Sequence, residues 1–243
     1  MNLDSILSLT SSKITQALHL FVLDEMNIAR VEYYFAEFLS LLEVPDITKR
    51  HLDVIPDEWE TDPTLLQGGK LVLPDNMWFI GTANNDDSTF AISDKVYDRA
   101  MVINLDKKAR PINTPKVESR SVSASKFKEL IEEAQKRYEI SHRNLRRIKL
   151  LDDYMIQNFQ LTFGNRIMGQ IIKYVPVIVA CGGDELSAID DIMSKKVLRK
   201  LETKNMVYVK NAAPGLISFI DELFGNQSME QCKEYIRNIE ISA

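Results

Sequence analysis

The stretch that most constrains the fold is "HLFVLDEMNIARVEYYFAEFLSLLE", residues 19–43. It begins with a continuous apolar run, which is typical of a strand buried on both faces in a parallel sheet. Two acids, Asp24 and Glu25, end that run. The residues that follow place apolar side chains at helical spacing. The stretch therefore predicts a strand, a turn and a helix, and this order indicates an α/β fold.

Two further apolar runs predict strands of the same sheet. "MWFIGTA" ends in the polar turn "NNDDST", and "AMVINL" follows a short helix predicted in "FAISDKVYDRA". The segment between the first helix and these strands, "ITKRHLDVIPDEWETDPTLLQGGK", is rich in proline, glycine and charge. It predicts a long surface connection, and "KLVLP" at its end predicts a short extended piece. We expect these parts to form an α/β core over residues 1–106.

The chain changes character after this core. "DKKARPINTPKVESRSVSAS" contains two prolines and several serines, and it predicts a linker over residues 107–124. A helix is predicted in "SASKFKELIEEAQKRYE", because serine caps precede apolar residues at helical spacing. The remaining pattern predicts an all-helical domain over residues 125–243, with helices at about 143–160, 165–174, 184–202, 212–224 and 228–239.

Composition excludes several classes of protein. The two cysteines, Cys181 and Cys232, form no CxxC spacing, which argues against a disulfide framework or a zinc site. No basic region followed by an apolar stretch begins the sequence, so no secretion signal is predicted. The longest apolar run, "IIKYVPVIVA", is interrupted by Lys173 and Pro176 and is too short to cross a bilayer. We therefore expect a cytoplasmic location and no membrane contact.

The net charge of -5 conceals two different halves. Residues 1–106 carry 7 basic and 18 acidic residues, a net charge of -11, whereas residues 107–243 carry 23 basic and 17 acidic residues, a net charge of +6. Two domains of different composition explain this simply. The alternatives are that the halves attract each other, or that the basic half binds an anionic partner.

Asp24, Glu25 and Asn84 are the first candidates for chemistry. Asp24 and Glu25 follow one predicted strand and Asn84 follows the next, and the carboxyl ends of parallel strands are where open α/β sheets bind ligands. Asp24 could hold Mg²⁺ together with substrate phosphates. Glu25 could polarise the attacking water, which Asn84 could hold, and Asp87 could orient Asn84 or a basic partner. The structural alternatives are a solvated acidic strand end and an Asx turn.

Two arginines complete the set of candidates. Arg99 follows the short helix in "DKVYDRA", where an arginine can reach a neighbouring subunit and neutralise charge on phosphate. Its alternative is a salt bridge with Asp98 or Asp94. Arg166 in "FGNRI" could contact the γ-phosphate from the same chain, or it could be a capping or surface arginine.

The blocks "LFVLDEMNIARVEYYFAEFLSLLE", "LVLPDNMWFIGTANNDDSTFAISDKVYDRA" and "FGNRI", in this order, resemble the AAA+ NTPases of the McrB-like, dynein-related group. The resemblance covers roughly residues 15–200, and the first two blocks are the specific ones. It implies a partial AAA+ parallel sheet, made of the Walker B, sensor-1 and last strands, followed by an all-helical lid domain. Asp24 and Glu25 match the Walker B acids, and Asn27 matches the asparagine that often follows them.

The resemblance also assigns the remaining candidates. Asn84 matches sensor 1 and Asp87 the acid of the signature Met-Asn-x-x-Asp, although Ala83 stands where the methionine belongs. Arg99 matches the arginine finger, and Arg166 matches sensor 2 more weakly. On this resemblance Glu25, Asn84 and Arg99 are catalytic, and Asp24 binds the metal. Asp24, Asn27, Asp87 and Arg166 are the residues expected to bind the nucleotide.

The sequence departs from the family at one essential point, because it contains no GxxxxGK[ST]. The backbone cradle and the lysine that bind the β- and γ-phosphates are therefore absent. The resemblance then implies the C-terminal part of a Mg²⁺-dependent ATPase or GTPase, active only when a P-loop segment is supplied. No cofactor is expected for the isolated chain. The expected partners are a P-loop-containing chain or a second copy.

The missing segment also affects the sheet. In the AAA+ sheet the P-loop strand lies between the sensor-1 strand and the last strand. Without it "MWFIGTA" has an open edge, which is a pairing hazard. Three repairs are open: pairing with "AMVINL", folding of "MNLDSILSL" across the gap, or association with a second chain, which we favour.

Two other functions compete with this one. The chain could be a nucleotide-independent scaffold or interaction module derived from an AAA+ protein. The basic stretch "SHRNLRRIK" could alternatively contact nucleic acid. A solvated helix face explains that stretch better, because six extra charges are spread over the second half of the chain.

Overall fold

The computed structural model describes residues 17–63, 66–84, 86, 88–105, 111–116, 118 and 121–241. These residues form two compact units. The first contains the described residues of 1–100 and 106–128, and the second those of 101–105 and 129–243. This division into units does not test the domain boundaries predicted at residues 106 and 125, which stay predictions.

The first unit contains a parallel sheet of two strands, β1 (His19–Leu23) and β4 (Met77–Gly81). Phe21 lies opposite Phe79 in the register. This pairing joins the first two strands predicted from the sequence, and it confirms the α/β class. The prediction that both faces of β1 are buried is wrong, because Leu20 and Val22 are 55% and 60% exposed.

The predicted third strand is also wrong. Residues 101–105 form no strand, and Ile103 and Leu105 are 73% and 89% exposed. Apolar composition alone does not make a strand, because a strand is stable only when a neighbour satisfies its backbone groups. Among the described residues nothing pairs with this segment. The described residues therefore show no pairing of "AMVINL" with β4, and the repair by residues 1–9 lies outside them.

One face of the parallel sheet is covered by two short helices, α1 (Val31–Tyr34) and α2 (Ala36–Leu41). The sequence predicts one continuous helix here, but the helix is interrupted at Phe35. The rings of Phe35 and Phe38 stack with centroids 5.1 Å apart. The ring of Phe79 meets both rings edge-on, which fixes the helices on the sheet.

An antiparallel pair follows, whose first strand lies in the segment expected to be a surface connection and whose second strand lies in the predicted extended piece "KLVLP". It joins β2 (His51–Asp53) to β3 (Lys70–Val72), and the partners Leu52 and Leu71 are both buried. Gly69 closes the pair, because its carbonyl accepts the N–H groups of Val54 and Ile55. A short helix, α3 (Asp94–Tyr97), completes the first unit where a helix is predicted.

The described helices continue with α4 (Ala124–Arg137), which has residues in both units. The second unit is otherwise built from five α-helices and a 3₁₀ helix, Leu198–Thr203. The α-helices are α5 (His142–Phe159), α6 (Gly164–Ala180), α7 (Glu185–Lys196), α8 (Met206–Phe224) and α9 (Glu230–Ile241). Its single large core includes Ile148, Leu151, Ile171, Ile189 and Leu216. The helical character predicted for this region is confirmed.

Two of these helices run through a proline. Helix α6 continues past Pro176 to Ala180, and α8 begins at Met206, before Pro214. The predicted helices, 165–174 and 212–224, are too short for this reason. A proline inside a helix removes one backbone hydrogen bond. In α8 the buried stripe continues on either side of the proline, with Ala213 before it and Leu216 after it. In α6 Val175 is buried just before the proline, and the partly buried Ile178 and Val179 pack against the same core after it.

Candidate functional site

The parallel pairing of β1 and β4 brings the predicted acids and asparagine to one edge. Leu23 lies opposite Gly81 at the ends of the strands, so Asp24 and Glu25 leave the sheet beside the residues that lead to Asn84. All three residues are exposed. Two carboxylates and a carboxamide thus lie at the carboxyl edge of a parallel sheet, which is the edge where such sheets bind ligands.

Thr82 joins the two strand ends and was missed by the sequence analysis. Its hydroxyl donates to Asp24 Oδ1 at 2.6 Å and accepts the N–H of Glu25 at 2.8 Å. Its backbone carbonyl accepts the N–H of Met26 at 2.8 Å. The candidates predicted at the strand ends were acids and amides, and Thr82 is neither. The available signal was its position, because Thr82 is the first residue after β4.

Glu25 has an unusual backbone conformation. Its φ of 50° and ψ of 45° lie in the left-handed region, which few residues other than glycine adopt. It precedes a 3₁₀ turn, Met26–Ile28, that turns the chain away from the sheet. Strained non-glycine residues are held by the surrounding structure and occur often at functional sites. The conformation therefore makes this turn a candidate part of a functional site.

Asn27 is buried, with 3% of its surface exposed. Its Nδ2 donates to the carbonyl oxygens of Asn84 at 2.7 Å and Phe90 at 3.1 Å. Its Oδ1 accepts the N–H of Asn84 at 3.2 Å. Both ends of this amide are occupied by protein atoms. Asn27 thus fixes the backbone of Asn84, and its predicted role in binding nucleotide stays a prediction.

Arg99 forms an ion pair, although not with either of the acids considered from the sequence. Its Nη2 lies 2.9 Å from Glu43 Oε2, and its Nη1 donates to the carbonyl of Lys95 at 2.8 Å. Its side chain is 23% exposed. Among the described residues, its Nε is buried without a hydrogen-bond partner. Arg99 is therefore held by contacts within the first unit.

The remaining two candidates lie elsewhere. Arg166 is exposed in the first turn of α6, in the second unit, whereas Asp24 and Asn84 belong to the first. Asp87 lies outside the described residues. Its neighbour Asp86 accepts hydrogen bonds from the hydroxyl and the N–H of Ser88, and these bonds lower the pKa of the Asp86 carboxyl.

The metal-binding capacity of the edge rests on Asp24. Among the described residues no group of three or more His, Cys, Asp or Glu side chains is arranged to hold a metal ion. A preformed cage of protein ligands is not needed for Mg²⁺, which usually keeps several waters and takes one or two carboxylates together with substrate phosphates. The exposed carboxylate of Asp24 fits that limited role.

The excess of basic residues does not lie in the helical unit. Residues 107–128 contain seven basic residues and one acidic residue, and they account for the net charge of +6. Residues 129–243 contain 16 basic and 16 acidic residues. "SHRNLRRIK" at the start of α5 is thus a local run in a neutral unit, and a solvated face remains its simplest explanation.

No family model matches this chain, and no curated protein or solved structure matches it either. No helix in the part of the chain that the structure describes has the length and apolar character needed to cross a membrane. The structure itself gives an α/β class, with nine α-helices, a parallel sheet of two strands and an antiparallel pair among the described residues.

Proposed function

We propose that this chain is the C-terminal part of an AAA+ nucleoside triphosphatase of the McrB-like group, which hydrolyses ATP or GTP once a P-loop segment is supplied. The observation that carries the proposal is the β1–β4 edge. The two blocks most similar to the family form adjacent parallel strands, and Asp24, Glu25 and Asn84 leave the sheet at their shared carboxyl edge.

The edge suits metal-assisted phosphoryl transfer. Mg²⁺ and the nucleotide would supply charge neutralisation and the reacting phosphate. Asp24 would hold the metal, directly or through water, with the carboxylate oxygen that Thr82 does not engage. Glu25 would accept the proton of the attacking water, and the side chain of Asn84 would orient that water. The exposure of all three side chains leaves this edge open to a substrate.

The phosphate cradle is the component that the chain does not contain. Without GxxxxGK[ST] there are no backbone amides and no lysine arranged around the β- and γ-phosphates. We therefore expect weak nucleotide binding by the isolated chain. Micromolar binding of ATP or GTP with Mg²⁺, measured by calorimetry, would contradict the requirement for a supplied P-loop.

Paramagnetic NMR tests the metal site on the chain itself, with Mn²⁺ as the probe for Mg²⁺. Millimolar Mn²⁺ should broaden the amide resonances of residues 24–27 and 82–84 first. Asp24→Asn should remove this effect, whereas Asp53→Asn, which changes an exposed carboxylate paired with Lys70, should leave it intact. Equal broadening around Asp57–Asp62 and the strand edge would argue against a site at Asp24.

A second candidate function, a nucleotide-independent interaction module, is favoured by the other face of the sheet. Leu20, Val22 and Ile80 are 55%, 60% and 48% exposed on this face, and Trp78 contacts Phe127 at its end. Contiguous exposed apolar residues mark interaction surfaces. Sedimentation at micromolar concentration should then show assembly that Val22→Lys abolishes. Assembly that needs no nucleotide, without any hydrolysis after P-loop complementation, would favour this function.

A further inference from the structure

Thr82 is the only described residue whose hydroxyl contacts both acids of the edge. The hydroxyl donates its proton to Asp24 Oδ1 and receives the N–H of Glu25, so it is used as a donor and as an acceptor at once. Donation to a carboxylate gives a short, charge-assisted hydrogen bond, and the 2.6 Å distance agrees with that. One side chain therefore fixes the carboxylate of the first acid and the backbone of the second.

The backbone of Thr82 forms hydrogen bonds with the residues on either side of the same two acids. Its N–H donates to the carbonyl of Leu23 at 3.0 Å, just before the acids, and its carbonyl accepts the N–H of Met26 at 2.8 Å, just after them. Together with the hydroxyl contacts, four hydrogen bonds from one residue enclose Asp24 and Glu25. The two backbone contacts would survive any substitution at position 82, except by proline, and the two hydroxyl contacts would not.

Glu25, the residue with the strained backbone, lies between these two backbone contacts. Glu25 adopts φ 50° and ψ 45°, and such a conformation persists only where neighbouring contacts over-determine it. The hydrogen bond from the N–H of Glu25 to Thr82 Oγ1 holds the backbone of this residue directly. In the left-handed conformation the Glu25 side chain leaves the turn in a different direction from that of an extended residue. The direction of the carboxylate therefore depends on what holds this backbone.

We propose that Thr82 is a positioning residue for the acid pair, and that its hydroxyl holds Glu25 in the left-handed conformation that aims its carboxylate. This inference rests on the proposed function for the role of Glu25, but its structural part concerns the isolated chain. This role requires the hydroxyl group of Thr82. Serine, which has a hydroxyl, should therefore preserve the Glu25 conformation. Valine, which has the shape of threonine without the hydroxyl, should not preserve it.

The test on the isolated chain compares the wild type with Thr82→Val and Thr82→Ser. In the wild type the Glu25 amide should be protected from hydrogen exchange, and its couplings should report positive φ. Thr82→Val should speed exchange of that amide by about tenfold, the factor expected for loss of one ordinary hydrogen bond. The couplings should also move towards negative φ. Thr82→Ser should keep both properties.

Three outcomes would overturn the proposal. They are an unprotected Glu25 amide in the wild type, unchanged couplings in Thr82→Val, and equal effects of valine and serine. The wild-type measurement decides even if Thr82→Val fails to fold. Unfolding of that variant is not expected, because Thr82 is exposed and valine suits a strand end.

A second measurement separates this inference from the proposed function. In a P-loop-complemented enzyme, Thr82→Val should lower kcat on the order of a hundredfold with little change in KM, because a misdirected base affects the chemical step. Thr82→Ser should retain most of kcat. Absence of hydrolysis in the complemented wild type would count against the proposed function alone, and the exchange and coupling data would still decide the role of Thr82. A KM effect without a kcat effect would contradict the positioning role.

Discussion

The side-chain amide of Asn27 holds the main chain of Asn84 at two points, since Nδ2 donates to its carbonyl and Oδ1 accepts its N–H. These residues lie 57 positions apart, one after each strand of the parallel pair. A buried amide with this arrangement sets where the exposed side chain of Asn84 begins. Substitution of Asn27 should therefore change stability much more than substitution of Asn84.

Asn27→Ala should destabilise the first unit by about 2 kcal/mol, because it removes a buried side chain that makes three hydrogen bonds to the backbone of Asn84 and Phe90. Asn84→Ala, the control, should change stability by less than about 0.5 kcal/mol because that side chain is exposed. Urea unfolding followed by tryptophan fluorescence measures this, since both tryptophans, Trp59 and Trp78, lie in the first unit. Equal destabilisation by both variants would contradict the structural role of Asn27.

Glu25→Gln should abolish hydrolysis in the P-loop-complemented enzyme and spare nucleotide binding. The amide keeps the shape of the side chain but cannot accept the proton of the attacking water. A loss of kcat on the order of a hundredfold or more is expected. Glu58→Gln removes the same charge from an exposed position and should leave turnover unchanged. Full turnover in Glu25→Gln would refute the assignment of Glu25 as the base.

The ion pair between Arg99 and Glu43 allows a test of the arginine finger. If Arg99 acts only as a structural ion pair, Arg99→Ala and Glu43→Gln should each cost about 1 kcal/mol of stability and affect turnover equally. As a finger, Arg99 should be needed for hydrolysis in the assembled enzyme whereas Glu43 is not, and we expect this second pattern. Turnover and urea stability, measured on both variants, separate the two roles.

In the first unit, elements marked by a local sequence pattern were predictable, and elements that depend on distant partners were not. β1 and β4 are continuous apolar runs that end in polar turns, and these local patterns were enough to predict both strands. Residues 101–105 have the same apolar character and form no strand, because a strand depends on a partner that no local pattern reports. β2 was missed since three residues between prolines and charges give no recognisable periodicity.

The candidate site also contains contacts that no local sequence pattern reports. Asp24, Glu25 and Asn84 were predicted because acids and amides after strands are conspicuous. The contact of Thr82 with both acids could not be predicted, because it depends on the register of β1 against β4. The acids considered as alternative ion-pair partners of Arg99 were its neighbours in sequence, Asp94 and Asp98, but its partner Glu43 lies 56 residues away.

The antiparallel pair depends on Gly69. Its φ of 72° disfavours any side chain, and a Cβ there would lie 2.1 Å from the carbonyl oxygen of Ile55. Gly69→Ala should therefore destabilise the first unit by at least about 2 kcal/mol, because backbone cannot move aside easily. Gly68→Ala is the matched control, with a similar φ of 57° and open space around its Cβ. It should cost about 1 kcal/mol in the same fluorescence assay.

The start of helix α7 gives a pH-dependent prediction for the second unit. Asp184 caps this helix, because its carboxylate accepts the hydroxyl and the N–H of Ser187. The hydroxyl bond is the largest cause, and the N–H bond the next, of the lowered pKa of the Asp184 carboxyl. A carboxyl whose pKa is lower in the folded state stabilises the protein above its unfolded pKa, and this contribution is lost as the pH falls through the folded pKa.

Asp184→Ala should accordingly destabilise α7 by about 1 kcal/mol at neutral pH. The difference from the wild type should shrink below about pH 4, as the capping carboxylate of the wild type becomes protonated. Asp184→Asn is the control, since asparagine caps nearly as well and does not titrate. Its stability at neutral pH should be close to that of the wild type, and it should be less sensitive to acid. Hydrogen exchange of the amides at 186–191, measured from pH 3 to pH 7 and corrected for intrinsic rates, gives these differences. An Asp184→Ala effect that stays constant across that range would show that the charge of Asp184 does not contribute to the cap.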